Sequence, residues 1–153
     1  NCFFKCANVL KIKNIKKYDL VNATGVVQHE PEYNKLINLI INKSNHYALF
    51  DLKVIKSSKD ISDIKESYCG DINNQLLYNL IGFENFYNYL LNLNYVSDIY
   101  LYGYETKINS RTVVPKEIKN IYSCGVLIKK SKNEYNIINI NFKNRDISKK
   151  ILF

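Results

Sequence analysis

The 153-residue chain carries a net charge of +8, and its apolar fraction of 46% is ordinary for a folded protein. We therefore expect a single globular domain over residues 1–153, and the composition excludes a largely disordered chain. No apolar run approaches the roughly 20 residues that a bilayer-spanning helix needs, so we expect no transmembrane segment. Because the chain contains no Met, we expect it to be processed or truncated, with any targeting segment outside the sequence.

Charge is distributed unevenly along the chain. Residues 66–106 contain five acidic residues and no basic one, so all 22 Lys and Arg residues lie in the flanking segments. Basic flanks can attract polyanions, although Lys also serves as ordinary solvated surface. Only Arg111 and Arg145 offer the bidentate fork that suits guanine or phosphate, which argues against sequence-specific nucleic-acid recognition. Heavy use of Asn, Lys and Ile indicates an AT-rich genome, such as that of a parasite or a large DNA virus.

The first part of the chain predicts a strand, a helix, a second strand and a short helix. Residues 2–13 alternate in places between apolar and polar positions, as a strand does. A helix is expected to begin near Pro31, whose missing amide suits a first helical position, and to end at 44–45. The clearest strand covers residues 46–56, and a short surface helix is expected over 57–69. The inward positions of the strand are Ala48, Phe50, Leu52 and Val54.

The centre of the chain predicts a helix pair that leads into a strand. Apolar residues over 72–94 recur at spacings of three and four, the period of a helix with one buried face. Asp71 is a suitable N-cap, and Gly82 is expected to end a first helix before a second one begins near Phe83. After Ser97 the period changes to two, as in a strand with one buried face.

The last part of the chain predicts a basic loop, a hairpin and a terminal helical turn. The loop covers 109–120, the hairpin strands cover 122–129 and 134–143, and the turn falls within 144–153. Helices and strands do not alternate regularly along the chain. The predicted fold class is therefore α+β, a mainly antiparallel sheet with two to four helices packed on it.

Four cysteines, Cys2, Cys6, Cys69 and Cys124, form an even set that fits two disulfides in a secreted protein. If residues 2–6 are extended, Cys2 and Cys6 lie ~13 Å apart, too far to bridge each other. Each is then expected to pair with Cys69 or Cys124, in an order that the sequence leaves open. The alternative is four reduced thiols in a cytoplasmic protein. A zinc site is disfavoured because the spacing lacks a second close pair of cysteines.

The sequence assigns no catalytic residue, no metal ligand and no cofactor. His29 lies beside Glu30, but no motif marks a Ser or Cys partner for it. Cys69 precedes the expected helix start, a setting that lowers the pKa of a thiol. The tripeptide Asp51-Leu52-Lys53 resembles half of a metal-dependent nuclease signature, with Glu30 or Glu32 as the other carboxylate. This tripeptide is common, however, and an outward Asp and Lys on a half-buried strand explains it without a nuclease. A hydrolase is therefore the third-ranked function, without a location.

Two surfaces compete as binding sites. Phenol rings on one face of a strand supply contact area at small entropy cost and keep a hydroxyl for hydrogen bonding, so the strand after Ser97 predicts a protein-binding face. The alternative interpretation is structural: these rings pack between the sheet and a helix. The predicted tyrosine face consists of Tyr100, Tyr102 and Tyr104. The basic surface that competes with it, for nucleic acid or another polyanion, consists of Arg111, Lys129, Lys130 and Lys132.

We therefore expect a small, secreted, disulfide-stabilised binding domain that engages a protein partner through the tyrosine face. The alternative is a basic cytoplasmic component of a nucleic-acid assembly, with reduced thiols and Lys residues lying on phosphates. The two expectations differ in the redox state of the cysteines and in the charge of the binding surface.

Counting thiols separates these expectations. Intact mass measured before and after alkylation, without reductant, should show no alkylated cysteine if both disulfides form. Each bridge would close a loop of more than 60 residues and stabilise the fold by ~4 kcal/mol in the chain-entropy model. Alkylation of all four cysteines in non-reduced, unfolded protein would contradict the disulfides and favour the cytoplasmic alternative.

Overall fold

A computed structural model of the chain describes residues 5–71, 73–94, 96–131 and 139–142. Within these ranges the elements follow one another as β1 Tyr18–Ala23, α1 Tyr33–Lys43, β2 Ser44–Ile55, β3 Tyr68–Asp71, β4 Asn74–Leu77, β5 Ile81–Gly82, α2 Phe83–Leu91, β6 Val96–Thr106, β7 Thr112–Val113, β8 Ile121–Lys130 and β9 Asn139–Phe142. One-turn 3₁₀ helices lie at Val9–Lys11 and Val27–His29. In the described part of the chain, no helix is long and apolar enough to span a membrane.

The main sheet is mixed, with its long ladders antiparallel. Its strand order is β1-β2-β8-β6-β9, and β5 pairs with the end of β2. β8 runs antiparallel to both β2 and β6, whereas the pairs β1 with β2, β2 with β5 and β6 with β9 are parallel. A smaller antiparallel sheet has the order β4-β3-β7. The predicted α+β class with a mainly antiparallel sheet is confirmed, and the described residues contain two α-helices.

One face of the main sheet, the inner face, forms the main core. Alternate side chains of β2, β8 and β6 point to this face and pack against α1 and α2. The apolar positions of α1 recur at helical spacing, which gives the helix a single buried side. The predicted alternation of β2 is confirmed, because its four inward residues are fully buried. The buried inner-face residues are Ala48, Phe50, Leu52, Val54, Ile99, Leu101, Cys124, Val126 and Ile128.

Ser44 joins α1 directly to β2. It leaves the helix with extended backbone, and its hydroxyl donates a 2.8 Å hydrogen bond to the carbonyl of Ile41. That bond occupies one of the carbonyls that the helix end leaves without an intrahelical partner. The predicted end of the helix at 44–45 is confirmed to within one residue.

In the part of the chain that the structure describes, the opposite, outer face is covered at one end only. Ile55 and Ile121 point to this face and form a second buried cluster with Tyr78 and Leu80. Cys69 of the small sheet packs against that cluster. The strands of the small sheet have four residues or fewer, so it caps only the end of the outer face where β2 finishes and β8 begins.

The first half of the predicted helix over 72–94 is wrong. Its described residues form strands β4 and β5, and only α2 is helical. The carboxylate of Asp71, expected to cap a helix, instead accepts the amides of Asn73 and Asn74, both at 2.9 Å, in the turn between β3 and β4. An Asp side chain stabilises such a turn as readily as a helix start, so the capping signal did not distinguish them.

Three other predicted elements differ from the structure. The described residues of 5–13 contain a 3₁₀ helix and no strand, and 57–67 contain bends and turns in place of a helix. β9 pairs in parallel with β6, so it is not the second strand of a hairpin with β8. The turn predicted within 144–153 lies outside the described residues.

Truncating a buried side chain in either cluster should destabilise the fold. Phe83 of the main core is 1% exposed and Leu80 of the second cluster 0%. Phe83→Ala and Leu80→Ala should each lower the free energy of unfolding by about 2–5 kcal/mol, through lost burial and the cavity left behind. Leu91→Ala is the matched control, since Leu91 is 46% exposed, and should change it by less than about 0.5 kcal/mol. Equal urea midpoints for all three variants would contradict the two clusters.

Candidate functional site

The predicted tyrosine face lies on β6 and points to the outer face of the main sheet. Ile99 and Leu101 are buried on the inner face, whereas Tyr102 and Tyr104 are 58% and 57% exposed. Tyr100 is partly buried. The alternation expected from the sequence therefore holds along this strand. Among the described residues no α-helix covers Tyr102 or Tyr104, so within that part of the chain their rings do not close the sheet against a helix.

Neighbouring strands supply an apolar floor beside the tyrosines. In the sheet register Tyr100 pairs with Leu127, and Leu127 pairs with Leu49. One step further along, Tyr102 pairs with Gly125. These positions enclose an open groove of about 470 Å³ on the outer face. The groove is lined by Leu49, Tyr100, Tyr102, Gly125 and Leu127, and by Val126, whose side chain itself points into the main core.

Gly125 makes a notch in the floor of this groove. It lies between Asp51 on β2 and Tyr102 on β6. A Cβ atom placed on Gly125 would come no closer than 3.5 Å to the carbonyl oxygen of Tyr102, an ordinary contact. The space above this glycine is therefore open, and the two neighbouring strands form its walls.

Polar groups surround the groove and are engaged with one another. At one end Ser123 pairs in register with Tyr104; its hydroxyl accepts a hydrogen bond from the ammonium of Lys53 and lies 2.6 Å from Oγ1 of Thr106. At the other end the ammonium of Lys129 lies 3.5 Å from the carboxylate of Asp98. The site thus has an apolar centre and a polar margin.

Asp51 lies beside the groove, where it pairs in register with Gly125. Its carboxylate accepts a 2.5 Å hydrogen bond from the backbone amide of Gly25, in the loop that follows β1. Gly25 adopts a φ of +75°, a left-handed conformation that suits glycine. This bond ties the loop to the sheet and gives the Asp of the predicted nuclease tripeptide a structural role.

The predicted basic surface is not one patch. Lys129 points to the outer face and Lys130 to the inner face of the same strand, because successive side chains of a strand alternate. Lys130 is partly buried, and burial together with the positive charge of Lys17 lowers its pKa. Arg111 precedes β7 in the small sheet, where its carbonyl accepts the amide of Gly70 at 2.9 Å. Lys132 lies outside the described residues.

No two of the described cysteines are bonded to each other, and they lie in three different settings. Cys6 is exposed, Cys69 is partly buried in the small sheet, and Cys124 is fully buried in the main core. Burial, followed by the charge of Asp51, raises the pKa of Cys124 to about 12. Cys2 lies outside the described residues, so the two disulfides stay a prediction. A bridge to Cys124 would require the N-terminal segment to enter the main core.

The catalytic candidates do not form a recognisable centre. Burial raises the pKa of the Cys69 thiol, which is opposite to the lowered value expected from the sequence. Nδ1 of His29 lies 2.7 Å from the carbonyl oxygen of Leu77, and the two atoms form a hydrogen bond. Among the described residues, no three His, Cys, Asp or Glu side chains are grouped closely enough to hold a metal ion.

Sequence reasoning missed the floor of the groove. Leu49 and Leu127 occupy outward positions of their strands, where the alternation predicts polar residues. Two apolar residues that break the alternation, and a glycine within a strand, were the available signals. Their meaning depends on the register of β2, β8 and β6, which the sequence alone does not supply.

Comparison with known proteins gives no family for this chain. No protein-family model matches it, and a search of curated proteins found no match.

Tyr78, at the boundary between the covered and open parts of the outer face, should report on the second cluster. Burial, followed by the charges of Cys69, Asp51 and Tyr104, raises its pKa from 10.0 to about 12. A folded-state pKa above the unfolded value stabilises the fold below pH ~10, and this contribution is lost as the pH rises towards ~12. Tyr78→Phe should therefore flatten the loss of stability in that range, measured by urea unfolding at successive pH values.

The control for this prediction is Tyr18→Phe, because Tyr18 is 56% exposed and belongs to neither cluster. Its substitution should leave the alkaline slope unchanged. If Tyr78→Phe also leaves the slope unchanged, Tyr78 is solvated and the second cluster is not closed as described.

Proposed function

We propose that this domain is a binding module that engages a protein partner through the open half of the outer sheet face. The observation that carries the proposal is the contrast between the two ends of that face. The small sheet buries one end, whereas the other end leaves Leu49, Leu127 and the rings of Tyr100 and Tyr102 around an open groove. An exposed, contiguous apolar patch with a polar margin is typical of an interaction site.

The composition of the groove supports a protein as its partner. Protein interfaces have an apolar, aromatic-rich centre depleted in charge and a polar rim that stays accessible to water. The groove has this arrangement, with leucines and tyrosines at the centre and the Lys53–Ser123 and Lys129–Asp98 pairs at its ends. A side chain of the partner would enter the notch above Gly125, between Asp51 and Tyr102, where it loses its contact with water.

A polyanion is the weaker candidate for this surface. Nucleic-acid affinity comes mainly from Lys and Arg that neutralise phosphates together. Here the outer face carries the carboxylates of Asp51 and Asp98, and Lys129 is already paired with Asp98. The basic residues Lys130 and Arg111 belong to the opposite face and to the small sheet, so they do not extend the groove.

A secreted, disulfide-stabilised setting is part of the same proposal. It rests on the even number of cysteines and on the exposed position of Cys6, which leaves the N-terminal segment available for pairing. The thiol count described above tests it independently of binding.

A crosslinking and titration experiment tests the proposed surface. A photoreactive phenylalanine analogue in place of Tyr104 should capture the partner protein, which is then titrated against unmodified domain and variants. Tyr102→Ala should weaken binding by more than ~2 kcal/mol, about 30-fold, because a central aromatic anchor is lost. Gly125→Val should also weaken it strongly by filling the notch.

Two controls make the result specific. Tyr18→Ala removes an equally exposed tyrosine outside the groove and should leave the affinity unchanged. Lys130→Ala should have little effect, and the affinity should vary little between low and moderate salt. A large loss for Lys130→Ala with a steep salt dependence, and none for Tyr102→Ala, would overturn the proposal in favour of a polyanion.

A further inference from the structure

Residues 5–17 form a segment, here named the basic strap, that crosses α1 and β1. Its turn is held by bonds within the strap: the amide of Leu10 donates to Oδ1 of Asn8 at 2.9 Å, and that of Lys11 to the carbonyl of Asn8 at 3.0 Å. Leu10 packs against the main core. This packing holds the strap against the domain.

A cavity of about 560 Å³ lies between the strap, α1 and the edge strand β1. This volume is in the range of small-molecule sites, which are mostly apolar with a few placed polar groups. One side is the apolar stripe of α1, the second is the inward side of β1, and the third is the underside of the strap. The main apolar lining residues are Val9, Ile15, Val21, Leu36, Leu39 and Ile40.

The cavity is elongated along α1, with a charged residue at each end. Glu30 precedes the helix and Lys43 is its last residue, and both line the cavity. Leu36, Leu39 and Lys43 follow one another along the helix, and the step from Leu36 to Lys43 spans about 10 Å at the α-helical rise. An extended alkyl chain fits this shape better than a compact ligand does.

The charged residues around the cavity determine which ligand head group it favours. The strap contains five Lys and no acidic residue, and all five are exposed around its half-buried apolar side. The carboxylate of Glu30 accepts the amide of Glu32 at 3.0 Å, so the opposite end presents a negative group. An anionic head is therefore attracted to the Lys43 end and repelled from the Glu30 end.

We propose that this cavity binds a straight-chain fatty acid, with its alkyl chain along the apolar stripe of α1 and its carboxylate beside the ammonium of Lys43. The apolar lining supplies the affinity through burial of the chain, and Lys43 with the basic strap supplies the preference for a negative head. This site is separate from the tyrosine groove, and the proposal does not depend on the proposed function.

Isothermal titration with three ligands of equal chain length tests the site. Dodecanoate, dodecan-1-ol and dodecylamine differ only in their head groups and are used below their micellar concentrations. Dodecanoate should bind with one-to-one stoichiometry and raise the melting temperature. Dodecan-1-ol should bind several-fold more weakly, and dodecylamine at least about tenfold more weakly, because its charge is repelled by the strap and Lys43.

Variants on α1 assign the binding to this cavity. Lys43→Gln should weaken dodecanoate about fivefold, the size of a half-exposed ion pair, and leave dodecan-1-ol unchanged. Lys35→Gln is the matched control: it removes one charge from the same helix, but Lys35 pairs with Glu32 away from the cavity and should change neither affinity. Leu39→Glu should weaken both ligands at least tenfold by placing a charge in the apolar lining.

Three outcomes would overturn the proposal. The first is no binding of monomeric dodecanoate by the folded domain. The second is an equal effect of Lys43→Gln and Lys35→Gln, which would mean attraction to surface charge alone. The third is binding to anionic phospholipid vesicles without binding to dodecanoate, which would make the strap a membrane-surface contact rather than the cover of a cavity.

Discussion

The position of β8 between β2 and β6 is the constraint on which the rest of the structure depends. Both long antiparallel ladders of the main sheet include β8. Its alternate side chains supply Val126 and Ile128 to the main core, and Ile121 to the second cluster on the opposite face. A register shift of one residue would exchange these faces, which places apolar side chains in water and polar ones in the core. The register of β8 therefore determines which residues form the main core, the second cluster and the groove.

The open groove follows from the unequal cover of the two sheet faces. Within the described residues, two α-helices cover the inner face, whereas the small sheet is too short to cover more than one end of the outer face. The apolar side chains that remain uncovered are not scattered; Leu49 and Leu127 are register partners and meet Tyr100 on the next strand. Tyrosine is suited to this position because its apolar ring can pack against another apolar surface while its hydroxyl keeps a hydrogen bond to water.

The inward positions of β2 and β6 were predictable from the sequence, because one buried face makes the period of two visible there. The predicted inward residues of both strands are buried in the structure, although the strands begin one to three residues earlier than predicted. The segment around Asp71 and Gly82 was not predictable in the same way. Its apolar residues recur at helical spacing, yet they belong to β4, β5 and the second cluster. The conformation of such short strands is determined by tertiary contacts more than by local periodicity.

The candidate site was only partly predictable. Tyr102 and Tyr104 could be placed on one exposed face because β6 alternates from Asp98 to Tyr104. The floor of the groove comes from β2 and β8, and β8 begins more than 60 residues after β2 ends. Pairing at that distance leaves no local signal in a single sequence. The same holds for the cavity under the basic strap, since residues 5–13 carry an alternating pattern but form a 3₁₀ helix that packs on α1.

Two glycines of the main sheet show which features the fold requires and which it leaves to the surface. A Cβ on Gly82 would lie 2.8 Å from the carbonyl oxygens of Ser57 and Lys59, so the close approach of the 57–59 loop requires a glycine there. Gly125 has no such neighbour, and a side chain at this position would meet only an ordinary 3.5 Å contact. Glycine weakens the middle of a strand, because it adds backbone entropy to the unfolded chain and packs no side chain. No close backbone contact requires a glycine at position 125, whereas the missing side chain forms the notch of the groove. That difference favours the proposed binding role of Gly125 over an architectural one.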